Sequence, residues 1–237
     1  MKAEAENGEY FAMNIENRLF NAVAFDMDGL MFNTEDVYWK AADVLLGRRG
    51  CSYTEELCND IMGRPPQYCF QRMIEYYGLS DDWRDLKAES EEIFIALLKE
   101  GYSAMPGLFE LLDRLEAARI PKAICTSSSR KIMEAILEKD RLLSRFAFTI
   151  TSEDIVRGKP DPEIYLKAAN RFDLPPNRLL VLEDSVAGCR SAIRAGAACF
   201  IILADHNKHL SFPDATQILN SLGDLKIMEN LTLRKDL

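Results

Sequence analysis

"NAVAFDMDGLMFNTE", residues 21–35, decides how the rest of the chain is read. Residues 21–25 are mostly apolar and short, as in a strand buried on both faces. Two aspartates, Asp26 and Asp28, follow at once, and Gly29 marks a turn. Two carboxylates at the tip of an apolar strand repel each other unless something offsets their charge. A bound cation would do so.

Four further apolar runs read as buried strands: 123–125, 148–150, 179–182 and 199–203. Helical periodicity at 107–120, 129–143, 162–174 and 185–196 alternates with them. Alternation of this kind implies right-handed crossovers and a parallel sheet covered by helices on both faces. The expected class is α/β, with a Rossmann-like sheet. About a hundred residues separate the first two strands, too many for one crossover helix or a structureless loop. Helical patterns at 34–49, 65–79 and 80–101 fill the gap. The expected organisation is therefore an α/β core domain, 1–32 and 105–237, with a small α-helical cap domain, 33–104, inserted just after the aspartates. Residues 32–34 and 103–106 are the expected hinges. Residues 1–18 and 230–237 read as loosely ordered ends.

The bulk numbers exclude some classes. The 237 residues are 48% apolar and 28% charged, as in a soluble globular protein. A net charge of −9 and an isoelectric point near 4.9 argue against a nucleic-acid or anionic-membrane partner. An anionic small molecule stays open, since a local site can oppose the global charge. None of the six cysteines has metal-ligand spacing, and residues 1–19 resemble no export signal. Reduced, buried thiols in a cytoplasmic protein are expected. No run of 18 apolar residues could span a membrane. Without an exposed apolar heptad, the default is a monomer.

Open parallel sheets bind ligands beyond the carboxyl ends of their strands. Asp26 and Asp28 follow the first strand. Thr126, Ser127 and Ser128 follow the second, "TSEDIVRGKPDP" with Lys159 the third, and Glu183 and Asp184 the fourth. Taken singly, each has a plain structural explanation. DxDG is an acidic turn, "TSSS" a helix N-cap, "GKPDP" a turn with a solvated lysine, and "EDS" a capping cluster. Their order lifts them, because each stands directly after a strand. Crowded carboxylates suit a hard divalent cation such as Mg2+. A cation, a lysine and hydroxyls together suit a phosphoryl group, whose transfer depends on positioning and charge neutralisation.

From about residue 21 to 219 the sequence resembles the haloacid dehalogenase-like hydrolase superfamily, in its branch of helical-cap phosphatases and β-phosphoglucomutases. Its four motifs match "FDMDGL", "CTSSS", "GKPDP" and "LEDSVAGCRSAIRAG". The resemblance implies that Asp26 is a nucleophile forming an aspartyl-phosphate, and Asp28 the general acid and then the base. It implies that Ser127, with the Ser128 amide, holds the phosphoryl group, with Thr126 as the alternative in a shifted register. Lys159 would balance charge. Mg2+ would be held by Asp26, the Asp28 carbonyl, Asp184, and Glu183 directly or through water.

Departures from the pattern narrow the activity. Dehalogenases and phosphonate-cleaving relatives lack the second aspartate. The mutases carry a cap histidine ten residues after it, where this chain has Tyr38. The two histidines, His206 and His209, lie far downstream. A phosphatase of a small phosphorylated metabolite is expected, a phosphosugar mutase is the runner-up, and a non-catalytic binding member is the remaining reading. Arg64, Asn33 and Tyr38 are the candidates to meet substrate from the cap. Met31 and Phe32 read as packing at the hinge, and one of Tyr38 and Trp39 as cap core.

Overall fold

Residues 20–61, 64–138 and 141–231 are described by the computed structural model of the chain. Strand β1 (Ala22–Phe25) is followed by four helices, α1 (Glu35–Gly47), α2 (Glu55–Ile61), α3 (Pro66–Tyr77) and α4 (Trp83–Leu98). Then α5 (Leu108–Ala117), β2 (Lys122–Cys125), α6 (Arg130–Glu138) and β3 (Phe148–Ile150) alternate. The chain continues through α7 (Glu163–Arg171), β4 (Leu179–Glu183), α8 (Val186–Ala195), β5 (Ala198–Ile202), β6 (Gln217–Leu219) and α9 (Leu225–Glu229).

All strand pairs are parallel, in the order β3-β2-β1-β4-β5-β6. The order reverses at β1, so the crevice for a ligand opens beyond Phe25. Alternate residues of β1 face opposite layers. Val23 and Phe25 pack into the layer that holds α5 and α6, and Ala22 and Ala24 into the layer of α7 and α8. Small alanines on the second face let Tyr165 of α7 lie fully buried against the sheet.

The five expected strands are present, four of them with one or both ends shifted by one residue. Strand β6 was not expected. It has three residues, and its middle one, Ile218, is 51% exposed, so neither length nor alternation marks it. Helix α2 was also not expected; it has seven residues, with Thr54 Oγ1 accepting from the Leu57 amide at its start. Asn230 and Leu231, expected to be loose, pair with Phe20. Residues 1–18 and 232–237, the rest of that expectation, lie outside the described residues.

The four inserted helices pack on one another, α1 and α3 against α4 and α2 against α3. Helix α4 packs along α1 and also against α6 of the sheet domain. Arg49 ties α1 to Asp81 at 2.6 Å and to Glu89 of α4 at 2.7 Å. Tyr38 is the inward member of its pair, its ring 4.3 Å from that of Phe94, whereas Trp39 is 38% exposed. The two connectors run side by side: Asn33 N donates to Ser103 O, Ser103 N to Asn33 Oδ1 and Met105 N to Met31 O. Met31 and Phe32 are buried there. Among the described residues no helix is long and apolar enough to cross a membrane.

The return connector ends at Gly107, which starts α5 with φ +86°. A Cβ there would stand 2.1 Å from the Gly223 amide nitrogen. Left-handed backbone and overpacking each carry a cost, so Gly107→Ala is expected to destabilise the fold by about 2–5 kcal/mol. A urea midpoint unchanged from wild type would contradict this packing.

Candidate active site

The sheet brings the strand-end residues together. Asp26 continues β1 by one residue, its amide donating to Leu182 O; Thr126 continues β2, its amide donating to Ile150 O. Lys159 is not a solvated turn residue, since it is only 6% exposed. Its ammonium donates to Asp26 Oδ1 at 2.5 Å, Glu183 Oε1 at 2.7 Å and Cys125 O at 3.1 Å. Burial opposes its charge, but the two carboxylates outweigh it and hold the ammonium above its usual range.

Glu183 is the most committed acid. Its Oε1 also accepts from Tyr165, and its Oε2 accepts from the Asp184 amide and from the amide and hydroxyl of Ser185. Burial pushes its carboxyl up, yet Lys159, Ser185 and Tyr165 prevail and keep it below the usual range. Ser185 is also the cap of α8, accepting from the Gly188 amide. The capping explanation of "EDS" holds, and it is compatible with a place for Glu183 and Asp184 in the site.

Asp26, Glu183 and Asp184 each offer an oxygen within 4.8 Å of the others. Burial raises the carboxyls of Asp26 and Asp184 well above their usual values. For Asp26, Lys159 opposes this, while Glu183, Asp184 and Asp28 add to it; for Asp184, Glu183 is the largest added repulsion. Buried hard oxygen donors in excess of the single ammonium are a chemistry that fits Mg2+. Five donors already fill Glu183, so Asp26 and Asp184 are the freer to meet a cation.

Asp28 lies beside this cluster in a collar of hydroxyls. Thr34 Oγ1 donates to its Oδ1 at 2.8 Å, and Ser128 Oγ and Thr126 Oγ1 to its Oδ2 at 2.7 and 3.3 Å. Burial raises its carboxyl, and these hydroxyls pull it back. The Ser128 amide is turned onto Thr126 Oγ1. Ser127, exposed, is the member of the trio whose side chain faces open space. The N-cap explanation of "TSSS" belongs to Ser129, whose Oγ accepts from the Ile132 amide.

A cavity of about 330 Å3 opens over these groups. It is lined by Asp26, Asp28, Thr126, Ser127, Lys159 and Asp184 at its base and by Arg64 at its mouth. Asn33 and Tyr38 do not line it. Asn33 is spent on the Ser103 amide, and Tyr38 reaches Ser128 Oγ at 2.7 Å instead. Glu35, His206 and Asn207 line it without having been expected there. His206 Nε2 lies 2.7 Å from Asp184 Oδ2, and Asn207 Nδ2 donates to Asp184 O. Both stand directly beyond β5, so the strand-end rule extended to the fifth strand finds them. Gly29, at φ +77°, leaves room for this pair: a Cβ would lie 2.1 Å from Asp184 Oδ2 and 2.9 Å from His206 Nε2.

Residues 23–202 match the family model described as haloacid dehalogenase-like hydrolase. A probable pseudouridine-5'-phosphatase of Drosophila melanogaster is 33% identical over 208 residues, 85% of this chain and 90% of that protein. A phosphorylated carbohydrates phosphatase of Thermotoga maritima is 34% identical over 180 residues, 74% of this chain and 81% of that one. Among solved structures, CbbY from Rhodobacter sphaeroides in complex with phosphate superposes with a TM-score of 0.78 at 25% identity, covering 87% of this chain and 96% of that one. The chain belongs to the haloacid dehalogenase-like hydrolases.

Lys159→Met would leave Asp26 and Glu183 buried without their ammonium. Breaking a buried pair from one side costs about 3–5 kcal/mol, and a loss of that size is expected in metal-free urea denaturation. A loss below about 1 kcal/mol would mean that the lysine is not the structural counter-charge drawn here.

Proposed function

We propose that this haloacid dehalogenase-like hydrolase is a phosphoric monoester hydrolase. It acts on a small phosphorylated metabolite, a sugar phosphate or similar ester, with Mg2+ as cofactor. The observation that carries the reading is the convergence of Asp26, Lys159, Glu183 and Asp184 under one cavity that also exposes Asp28 and Ser127. Relatives that match most of the chain and are named as phosphatases support it.

The steps follow from the positions. An Asp26 oxygen attacks phosphorus, the phosphorus–oxygen bond of the ester breaks, and Asp28 gives its proton to the departing oxygen. Asp28, now a carboxylate, takes a proton from water, whose oxygen attacks the aspartyl-phosphate and frees phosphate and Asp26. Lys159 sits against Asp26 and lowers the repulsion between that carboxylate and the incoming anion. With the Ser128 amide engaged, Ser127 and Lys159 are left to hold the phosphoryl oxygens. Asp26, Asp184 and the Asp28 carbonyl would hold Mg2+, which when bound neutralises charge on Asp26 and the phosphoryl group. Glu183 anchors Lys159 rather than serving as a direct ligand.

The four inserted helices act as a cap, 33–104, hinged where the paired connectors meet at 32–34 and 103–106. Closing it excludes water from the reacting groups until the leaving group has departed and hydrolysis is wanted. Arg64 at the cavity mouth suits an anionic or polyhydroxylated leaving group. Six unpaired cysteines suit the reducing cytoplasm.

Three outcomes are expected. Hydrolysis of p-nitrophenyl phosphate should stop on chelation and fall by at least about 10³-fold in Asp26→Asn, and activity surviving either treatment removes the mechanism. Mg2+ at about a hundred times its Kd should raise Tm by about 5–10 °C in wild type but not in Asp184→Asn. Sugar phosphates should release phosphate steadily; conversion of β-glucose 1-phosphate to the 6-phosphate with no phosphate set free would make the enzyme a mutase instead.

A further inference from the structure

Tyr38 stands in the first inserted helix, and yet its hydroxyl reaches out of the helical layer. Its Oη lies 2.7 Å from Ser128 Oγ, and Ser128 Oγ lies 2.7 Å from Asp28 Oδ2. Ser128 Oγ donates to Asp28 Oδ2, an oxygen that accepts in the carboxylate and, as the carbonyl oxygen, in the acid as well. Its single proton is then spent, and it must accept from Tyr38. Burial pushes the Tyr38 phenol well above its usual value, with the nearby Asp28 adding to this, so the hydroxyl keeps its proton. The ring is fixed from the other side by Phe94 of α4, at 4.3 Å. Thr34, at the start of the same helix α1, grips the other oxygen of Asp28. Both carboxylate oxygens are thus held from one end of one inserted helix, directly through Thr34 and at one remove through Tyr38.

We propose that Tyr38 is a positioning residue which, acting through Ser128, aims Asp28 at the leaving oxygen when the helical layer is seated on the sheet domain. The inference rests on the phosphatase reading and adds a residue to it. It also gives Tyr38 a task other than contact with substrate, since the side chain does not line the cavity. Hydrogen-bonded chains of this kind strengthen one another in a low dielectric, so loss of the distal member is felt at the proximal one.

The test uses two esters with unlike leaving groups. p-Nitrophenolate departs without a proton, whereas a sugar alkoxide needs one from Asp28. The ratio kcat/KM counts steps up to departure of the leaving group, so it isolates the proton donation from later hydrolysis of the aspartyl-phosphate. Tyr38→Phe keeps the ring and its contact with Phe94 and removes only the hydroxyl. In the Mg2+-loaded enzyme it should lower kcat/KM about tenfold or more for the best sugar phosphate, and leave p-nitrophenyl phosphate within about twofold of wild type. Ser128→Ala should lower kcat/KM for the sugar phosphate at least as far, whatever it does to p-nitrophenyl phosphate, and the double variant should lose no more than Ser128→Ala alone. An equal fall for both esters in Tyr38→Phe would mark a cap defect and overturn the proposal, as would no fall for either, or additive losses in the double variant. Wild-type enzyme inert toward every ester would instead bring down the phosphatase reading, and this proposal with it.

Discussion

One buried ammonium holds the centre of this structure. Lys159 Nζ touches Asp26 beyond β1, the Cys125 carbonyl that ends β2 and Glu183 that ends β4. These are the three adjacent central strands, and they meet where the strand order reverses. Carboxylates buried so close would otherwise have to protonate or find water. The lysine keeps Glu183 ionised and leaves Asp26 with one tight partner, and therefore with an oxygen to spare. The same contact that makes the strand ends compatible in a low dielectric leaves Asp26 an oxygen for the nucleophilic role we propose for it.

Glu183 divides the labour. Its two oxygens take Lys159, Tyr165, two backbone amides and the Ser185 hydroxyl, so it fixes the lysine and the first turn of α8 together. Amides at a helix start are suited to an anion. The carboxylate lies so close to α8 that a Cβ on Gly188 would come 1.7 Å from Glu183 Oε1. Asp184, one residue on, turns the other way, toward Gly29, His206 and the cavity. Two adjacent acids thereby take opposite parts, one satisfied and structural, the other under-satisfied and suited to a cation.

Much of this could be read in the residues, and the failures have physical reasons. Buried parallel strands are continuous apolar runs, and the strand-end rule finds Asp26, Asp28, the Thr126–Ser128 loop, Lys159 and the Glu183–Asp184 pair without any knowledge of contacts. Strand β6 and helix α2 carry too few residues for periodicity to register. His206 and Asn207 lie within reach of the rule, beyond the fifth strand, but "ADHN" matches no motif and carries no signal of its own. The positions of Asn33 and Tyr38 in the sequence make them candidates to meet substrate, but neither lines the cavity. Spacing says that a side chain is near the site, not which way it points. The connector pairing that takes up Asn33 and the Ser128 hydroxyl that takes up Tyr38 come from residues 70 and 90 positions away.

In the proposed reaction the chemistry and the choice of substrate fall to different parts of the chain. The base of the cavity is built from strand ends locked by buried pairs, and such groups tolerate little change. Its mouth is built from Arg64, Pro65 and Pro66 on the helical layer and from Ile155, Val156 and Leu210 on loops beyond β3 and β5. Val156 is 90% exposed there, a large apolar residue facing solvent beside a polar cleft. A leaving group would meet this mixed rim while its phosphate met the base. Since the rim residues carry none of the buried charge, they can change without disturbing Lys159, Asp26 or Glu183. A fold built this way can keep one phosphoryl chemistry and exchange the alcohol it releases.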